Sequence, residues 1–397
     1  MKPIKTLVLY SRGAPILKRI LADTTLRGIF NMPYSTLAPS LLNNLGWVGQ
    51  KLSNMICDPY AALGYVNDWR DSFNLSTQLD IIECNINDLV AYRKIKNYIK
   101  EIPLIVVLHS SAGDNLDLLL ATSHWFQDRV GKLAVFLGNE YDMMEEKRDF
   151  LNQVGADYIC TQLPINAANF MYGDVESSTI IEMPHALNPS VYKPVVQREA
   201  RKFKIGFIGA RYPSWIGDSE RNDFIDYCNS IFPASENFIS IGEGNISRGQ
   251  WADFLNNCQG TIGAEAGSYF LDRNGLILSR AKMACSQYNL KTENIFDCKD
   301  MLEGIQYTSG KAISSRHFEP MGTKTAQILL EGEYNGILKP DIHYFAVKSD
   351  LSNLKEKVAE FNDLSRQNEV ANIAFDYVMD CHTYGRRITK FIKTIFD

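Results

Sequence analysis

Between Ser314 and Ala326 the chain reads Ser-Ser-Arg-His-Phe-Glu-Pro-Met-Gly-Thr-Lys-Thr-Ala, which sets hydroxyls, a guanidinium, a carboxylate and a Gly-Thr-Lys turn close together. Ser315 and Thr323 offer hydroxyls, Arg316 a planar fork and Lys324 a second cation. If a helix begins at Gly322 to Lys324, its first backbone amides are free as well. Such a combination suits a phosphorylated ligand, because anions settle at helix N-termini and guanidinium forks match phosphate oxygens. The competing reading is a surface cap with two solvated cations, and Glu319 equally well caps a following helix.

A second cluster follows an apolar run ending at Gly263, where Glu265, Ser268 and Asp272 lie in a glycine-rich exit. Strand exits of this kind face ligands in open α/β folds, although Gly, Ser and Asp also build ordinary turns. Arg211 and Arg221 lie just beyond Lys204-Ile205-Gly206-Phe207-Ile208-Gly209 and are further candidates for an anion. In the first half, His109 follows Leu104 to Leu108, and Asn139-Glu140 follow Leu133 to Leu137. His titrates near neutrality and burial raises Glu toward it, so either can accept a proton, while a lone His at a strand end also serves as a structural residue. His185 has the same two readings.

These residues need a scaffold, and the apolar pattern supplies one. Strand-like runs at Thr6 to Tyr10, Leu79 to Glu83, Leu104 to Leu108, Leu133 to Leu137, Tyr158 to Thr161 and Thr179 to Glu182 alternate with helical patterns. The helices are expected at Asp88 to Ile99, Leu116 to Val130 and Met143 to Val154, the first capped by Asp88. Such alternation predicts a doubly wound parallel sheet. Pro184, Pro189 and Pro194 then punctuate an aperiodic stretch, after which a new series opens at Lys204. It continues with strands at Phe238 to Ile241 and Gly260 to Gly263 and helices at Asp223 to Ile231, Trp251 to Asn256 and Leu276 to Ala284.

A chain of 397 residues exceeds the roughly 250 to 300 at which a single core stops growing. The reading is therefore two α/β domains: 1–183 with an aromatic-rich insertion at 26–75, a linker at 184–203, a second domain at 204–375 and a terminal helix at 376–397. The insertion carries Tyr34, Trp47, Tyr60, Tyr65 and Trp69, rings that either stack on an acceptor or fill a small satellite core.

A net charge of −5 argues against a general nucleic-acid binder, which needs clustered Lys and Arg. The eight cysteines form no C-x-x-C pair and no zinc spacing, so reduced core thiols and a cytoplasmic address are expected. The N-terminal apolar run Leu7-Val8-Leu9 falls short of the about 7 to 15 residues of a signal core. In the last segment Ile388, Phe391, Ile392 and Ile395 share one face opposite Lys390 and Lys393. That face either packs on the protein or makes a peripheral contact with an anionic membrane.

Gly206-Phe207-Ile208-Gly209, Arg316-x-Phe318-Glu319 with Gly322-Thr323, and His382-Thr383-Tyr384-x-x-Arg387 stand in an order that resembles the CgeB-like branch of the group 1 glycosyltransferases. The resemblance covers roughly residues 204 to 390. It implies the GT-B architecture, two Rossmann-like domains facing across a cleft, with a nucleotide-sugar donor, most simply a UDP-sugar. The acceptor would be a glycan or a lipid-linked precursor, as in building a bacterial surface polymer.

The resemblance further implies that Arg211, Arg221, Glu265, Ser268, Asp272, Ser315, Arg316, Gly322, Thr323 and Lys324 bind the donor. Glu319 would contact the donor sugar or the positive charge developing at its anomeric carbon, with His109 or Glu140 on the acceptor side. Many relatives carry two glutamates eight positions apart, whereas Gln327 stands eight after Glu319, leaving Glu331 or Glu333 as replacements. Because the chain contains no D-x-D triplet, no metal is expected, and the resemblance implies a nucleotide-sugar substrate without a further cofactor. Two rivals remain: a GT-B-shaped scaffold without activity, and a two-domain NAD-dependent oxidoreductase. The second lacks G-x-G-x-x-G after either opening strand.

Overall fold

A computed structural model describes residues 2–11, 64–113, 116–242, 246–288 and 299–396. Most of the aromatic-rich insertion, including Tyr34, Trp47 and Tyr60, lies outside them.

The first half runs β1 (Ile4–Tyr10), α1 (Gly64–Leu75), β2 (Leu79–Asn85), α2 (Leu89–Tyr98), β3 (Leu104–Val107), α3 (Asp117–Ala121), β4 (Lys132–Phe136), α4 (Met144–Val154), β5 (Tyr158–Thr161), α5 (Ile165–Tyr172) and β6 (Thr179–Glu182). The second half runs β7 (Phe203–Gly209), α6 (Glu220–Ile231), β8 (Phe238–Ile241), α7 (Arg248–Asn256), β9 (Cys258–Gly263), α8 (Leu276–Tyr288), α9 (Lys299–Leu302), α10 (Ser315–Gly322), β10 (Ala326–Leu330), β11 (Phe345–Val347), α11 (Leu354–Asn362), α12 (Leu364–Cys381) and α13 (Tyr384–Phe396).

The strands form two parallel sheets, ordered β2-β1-β3-β4-β5-β6 and β11-β10-β9-β7-β8. Each order reverses direction beside its opening strand, between β1 and β3 in the first sheet and between β7 and β9 in the second. Ligands of doubly wound folds bind at the carboxyl ends of strands at such switch points. The strands that are covered on both faces are almost wholly apolar: β3 reads Leu-Ile-Val-Val with every side chain buried.

The strand and helix expectations match these elements closely, with two exceptions. The terminal helix expected at 376–397 is the end of α12 and a separate α13, parted at His382 and Thr383. The helix expected over Leu116 to Val130 is a short α3 followed by a 3₁₀ turn at Ser123–Trp125. Thr122 breaks it by turning its hydroxyl back onto the Leu118 carbonyl at 2.7 Å and onto the Tyr92 hydroxyl at 2.7 Å.

The terminal helix settles the use of its apolar face. Ile388, Phe391, Ile392 and Ile395 are buried with Val8, Val106 and Phe136 of the first sheet and with Trp69 and Phe73 of α1. That face is occupied by protein, the packing reading of the two given for this segment. Among the described residues no helix is long and apolar enough to cross a membrane.

The His382-Thr383-Tyr384-x-x-Arg387 motif builds the joint that delivers α13. The Leu187 amide donates to the His382 carbonyl at 2.9 Å, and the Tyr384 amide donates to the Leu187 carbonyl at 3.0 Å. Arg387 Nη2 bonds His382 Nδ1 at 2.8 Å, with Nε donating to the Pro184 carbonyl at 3.3 Å.

Candidate donor site in the cleft between the sheets

A cleft of about 250 Å³ opens between the carboxyl ends of the two sheets. Its first wall includes Gly64, Tyr65, Asn139, Gln162 and His185, and its second includes Tyr212, Arg248 and Trp251 with Ser314, Ser315, Arg316 and Glu319.

The run that opened the sequence reading forms α10, and its polarity differs from the expectation. The helix begins at Ser315, with Ser314 in extended conformation before it, and ends at Gly322. Its N-terminus, with Ser314, Ser315 and Arg316, therefore faces the cleft, while Gly322 to Lys324 close its far end. His317 fixes the start: its Nδ1 accepts from the Ser314 amide at 3.0 Å and its Nε2 lies 3.0 Å from the Ala264 carbonyl. Burial pushes the His317 ring down to about 4, so it is neutral near pH 7, a single tautomer tying α10 to the exit of β9.

Glu319 sits one turn further along α10, 3% exposed, and its Oε2 accepts from Trp251 Nε1 at 2.6 Å. The Arg316 guanidinium carbon lies 3.9 Å from the Trp251 ring centroid, so one indole holds both the acid and the cation at the cleft wall. Arg221 is near by: its guanidinium stacks 4.2 Å from the Tyr212 ring, and burial, together with the positive charge of Arg316, lowers its pKa.

Several expected donor contacts are placed elsewhere. Gly322 lacks a side chain for packing reasons: a Cβ there would come 2.3 Å from Leu187 Cδ1 and 2.8 Å from the Tyr192 carbonyl oxygen. The Thr323 hydroxyl bonds the Pro320 carbonyl and Thr325, and Lys324 Nζ reaches away to Asn372 at 2.9 Å. The turn carbonyls are held by Arg201, which donates to Thr323 at 2.7 Å, and by Arg198, which donates to Lys324 at 2.6 Å. Gly322 to Lys324 is thus a helix C-terminal turn, not the phosphate-binding N-terminus expected. Arg211 pairs with Asp226 on an exposed surface.

In the β9 exit, Asp272 caps α8, accepting from the Leu276 and Ile277 amides at 2.9 Å each. Ser268 accepts from the Phe270 amide, and Glu265 accepts from the Tyr334 amide at 2.6 Å. These three organise the loop that brings Ala266 to the cleft. Gln327 is buried inside β10 and donates to the His317 carbonyl at 3.0 Å, so the strand keeps it from a ligand. Glu331 and Glu333 are both exposed beyond that strand.

On the first wall, neither expected base lines the cleft. Glu140 is wholly enclosed, accepting from Thr161 Oγ1 at 2.5 Å, the Gln162 amide at 2.9 Å and the Tyr172 hydroxyl at 2.8 Å. His109 is packed among Trp69, Phe136 and His185, and burial pushes it down to about 3. His185 does reach the cleft, its Nδ1 accepting from Trp69 Nε1 at 3.2 Å.

Tyr65, one of the insertion rings read as stacking on an acceptor or filling a core, lines the cleft, whereas Trp251, Arg248 and Tyr192, and Asp68 behind Arg248, are residues the sequence reading missed. Arg248 Nη1 lies 2.7 Å from Asp68 Oδ1 and 2.7 Å from Asp71 Oδ2. A capping box, Ser247 with Gln250, starts the helix carrying both Arg248 and Trp251, and the S-R-G-Q spacing was the available signal. Among the described residues no group of three or more His, Cys, Asp or Glu side chains is arranged to hold a metal ion.

No protein-family profile matches the chain, and no curated protein does. Solved structures do. The HepE protein of Anabaena, in complex with UDP and glucose, aligns over 98% of this chain and 100% of its own at 9% identity and a TM-score of 0.50. A glycosyltransferase of Rickettsia africae aligns over 100% of this chain and 98% of its own, also at 9% identity and a TM-score of 0.50. The likeness is one of fold, and with the two facing parallel-sheet domains it defines the GT-B architecture.

Proposed function

We propose that this protein is a glycosyltransferase that moves a sugar from a nucleoside-diphosphate donor, a UDP-sugar in the simplest case, to a hydroxyl of a glycan or lipid-linked acceptor. The observation that carries this reading is the N-terminus of α10 opening into the cleft with Ser314, Ser315, Arg316 and Glu319 around it. Two features add support: the GT-B fold, and the nucleotide and sugar bound by the HepE structure.

As the bond from the anomeric carbon to the diphosphate breaks, its electron pair leaves with the diphosphate, while the acceptor oxygen bonds that carbon and its proton passes to the departing diphosphate oxygen or to water. The helix end, the two serine hydroxyls and the Arg316 guanidinium meet that charge, with Arg221 adding positive potential from behind Tyr212. Glu319, fixed by the Trp251 indole, faces the positive charge that develops on the sugar. This assignment gives the neutralising role to side chains and backbone in place of a metal ion. Within the fold, Arg316-x-Phe318-Glu319 favours the CgeB-like branch.

Thermal unfolding with UDP, GDP, NAD and no nucleotide tests the reading. Stabilisation by UDP or GDP supports a sugar-nucleotide enzyme. Stabilisation by NAD alone, or by none of them, contradicts it.

A further inference from the structure

Asp68 is 1% exposed and its Oδ1 is shared by two donors from different parts of the chain. Arg248 Nη1, on α7 of the second half, donates at 2.7 Å, and Asn188 Nδ2, on the segment joining the halves, donates at 2.8 Å. Asp68 itself belongs to α1, which packs on the first sheet through Trp69 and Phe73. One carboxylate oxygen thus joins both halves and the connection between them.

The approach is close enough to exclude a side chain. Gly64, one turn before Asp68, would place a Cβ 2.8 Å from the Tyr192 hydroxyl and 3.5 Å from Arg248 Cγ. One turn beyond Arg248 on α7 stands Trp251, whose indole holds Glu319 and underlies Arg316. The grip on Arg248 is therefore transmitted directly to the wall that carries the candidate donor residues. Asp68 Oδ2 and the Tyr192 hydroxyl are both buried without a hydrogen-bond partner among the described residues, an arrangement that is costly to retain for stability alone.

We propose that Asp68 is a positioning residue, the clasp that shuts the two α/β halves across the cleft by holding Arg248 and, through α7, the Trp251 wall. The clasp carries a proton linkage. Asp68 is faced by Arg248 from α7, Asn188 and Tyr192 from the connecting segment, Glu319 from α10 and Tyr384 from α13, with Asp71 near by on its own helix. Burial, opposed in part by Arg248, raises the carboxyl to about 7. Opened to water it returns to an ordinary value of ~3.9. The shut form therefore binds the proton more tightly, and the preference for closure weakens as pH rises from ~4 toward 7 and is level above it.

The test uses the full chain and the variants Asp68→Asn, Asp68→Ala and Arg248→Ala. In small-angle scattering without nucleotide, the two alanine variants should show a larger radius of gyration, while Asp68→Asn, which keeps an acceptor for Arg248, should stay near the parent. Should Asp68→Ala fail to fold, Arg248→Ala carries this arm, and an unchanged radius in Arg248→Ala overturns the clasp. The kinetic arm rests on the glycosyltransferase reading. The KM for a UDP-sugar should rise by up to about tenfold per pH unit between pH 5 and 7 and level off above 7, with kcat little changed. Asp68→Asn should be flat over the same range, and a variant slope equal to the parent's overturns the proposal. If no sugar nucleotide is turned over at all, the functional reading fails and the scattering still decides the clasp.

Discussion

Trp251 donates its indole N–H to the Glu319 carboxylate at 2.6 Å while the same ring lies 3.9 Å from the Arg316 guanidinium. Two charges of opposite sign are thus held side by side on one neutral, rigid platform. That is the pairing a departing anion and a developing cation require.

Glu319→Gln should keep the fold and nucleotide binding and lower transfer by orders of magnitude, read as kcat with a UDP-sugar beside the Kd for UDP from calorimetry. Trp251→Phe removes the donor from a buried carboxylate oxygen and should cost about 1–3 kcal/mol of stability by urea unfolding. Near-normal turnover in Glu319→Gln would remove that residue from the chemistry.

Arg316→Ala should weaken UDP binding by about tenfold or more, because a charge-assisted contact contributes about 1.5–3 kcal/mol. Arg211→Ala is the matched control. Its ion pair with Asp226 is exposed, so its loss should leave UDP affinity unchanged and stability within about 1 kcal/mol.

The elements were largely legible in the chain because parallel strands covered on both faces are continuous apolar runs. Leu104–Val107 and Tyr158–Thr161 follow directly from that rule. The site was legible only in part. Arg316 and Glu319 reach the cleft as their types suggest, but the direction of α10 depends on His317, whose bonds to Ser314 and to Ala264, far back in the chain, no local pattern reveals. His109 and Glu140 stand at strand ends as expected, yet aromatic packing encloses one and three hydrogen bonds satisfy the other. The Asp68–Arg248 contact joins positions 180 apart in the chain, a separation at which spacing carries no information.

His109 supplies a prediction about acid stability. Its folded value of about 3 lies below the ordinary ~6.5 of an unfolded histidine, so the stabilisation it allows is complete above pH 6.5 and is lost as pH falls toward 3. His109→Phe should flatten the acid limb of the unfolding midpoint between pH 6.5 and 4 without lowering transfer at pH 7.5. A large loss of transfer would restore His109 to the chemistry.

Phe391 is fully buried between α13 and the first sheet. Phe391→Ala should cost about 3–5 kcal/mol of stability. The unmodified protein should stay with the soluble fraction when floated with anionic vesicles, because the apolar face of α13 is already covered.

The proposed neutralisation of the leaving group by Arg316, Arg221 and the α10 helix end predicts that turnover is the same with EDTA as with added Mg²⁺ or Mn²⁺. A loss of activity in EDTA that either ion restores would contradict that assignment.

The most direct measurement of the central claim is slow hydrolysis of a panel of radiolabelled nucleotide sugars, which needs no acceptor. The account predicts release of free sugar and nucleoside diphosphate from at least one donor, abolished in Glu319→Gln and sharply reduced in Arg316→Ala. Absence of hydrolysis across the panel, or hydrolysis that both variants retain in full, would contradict it.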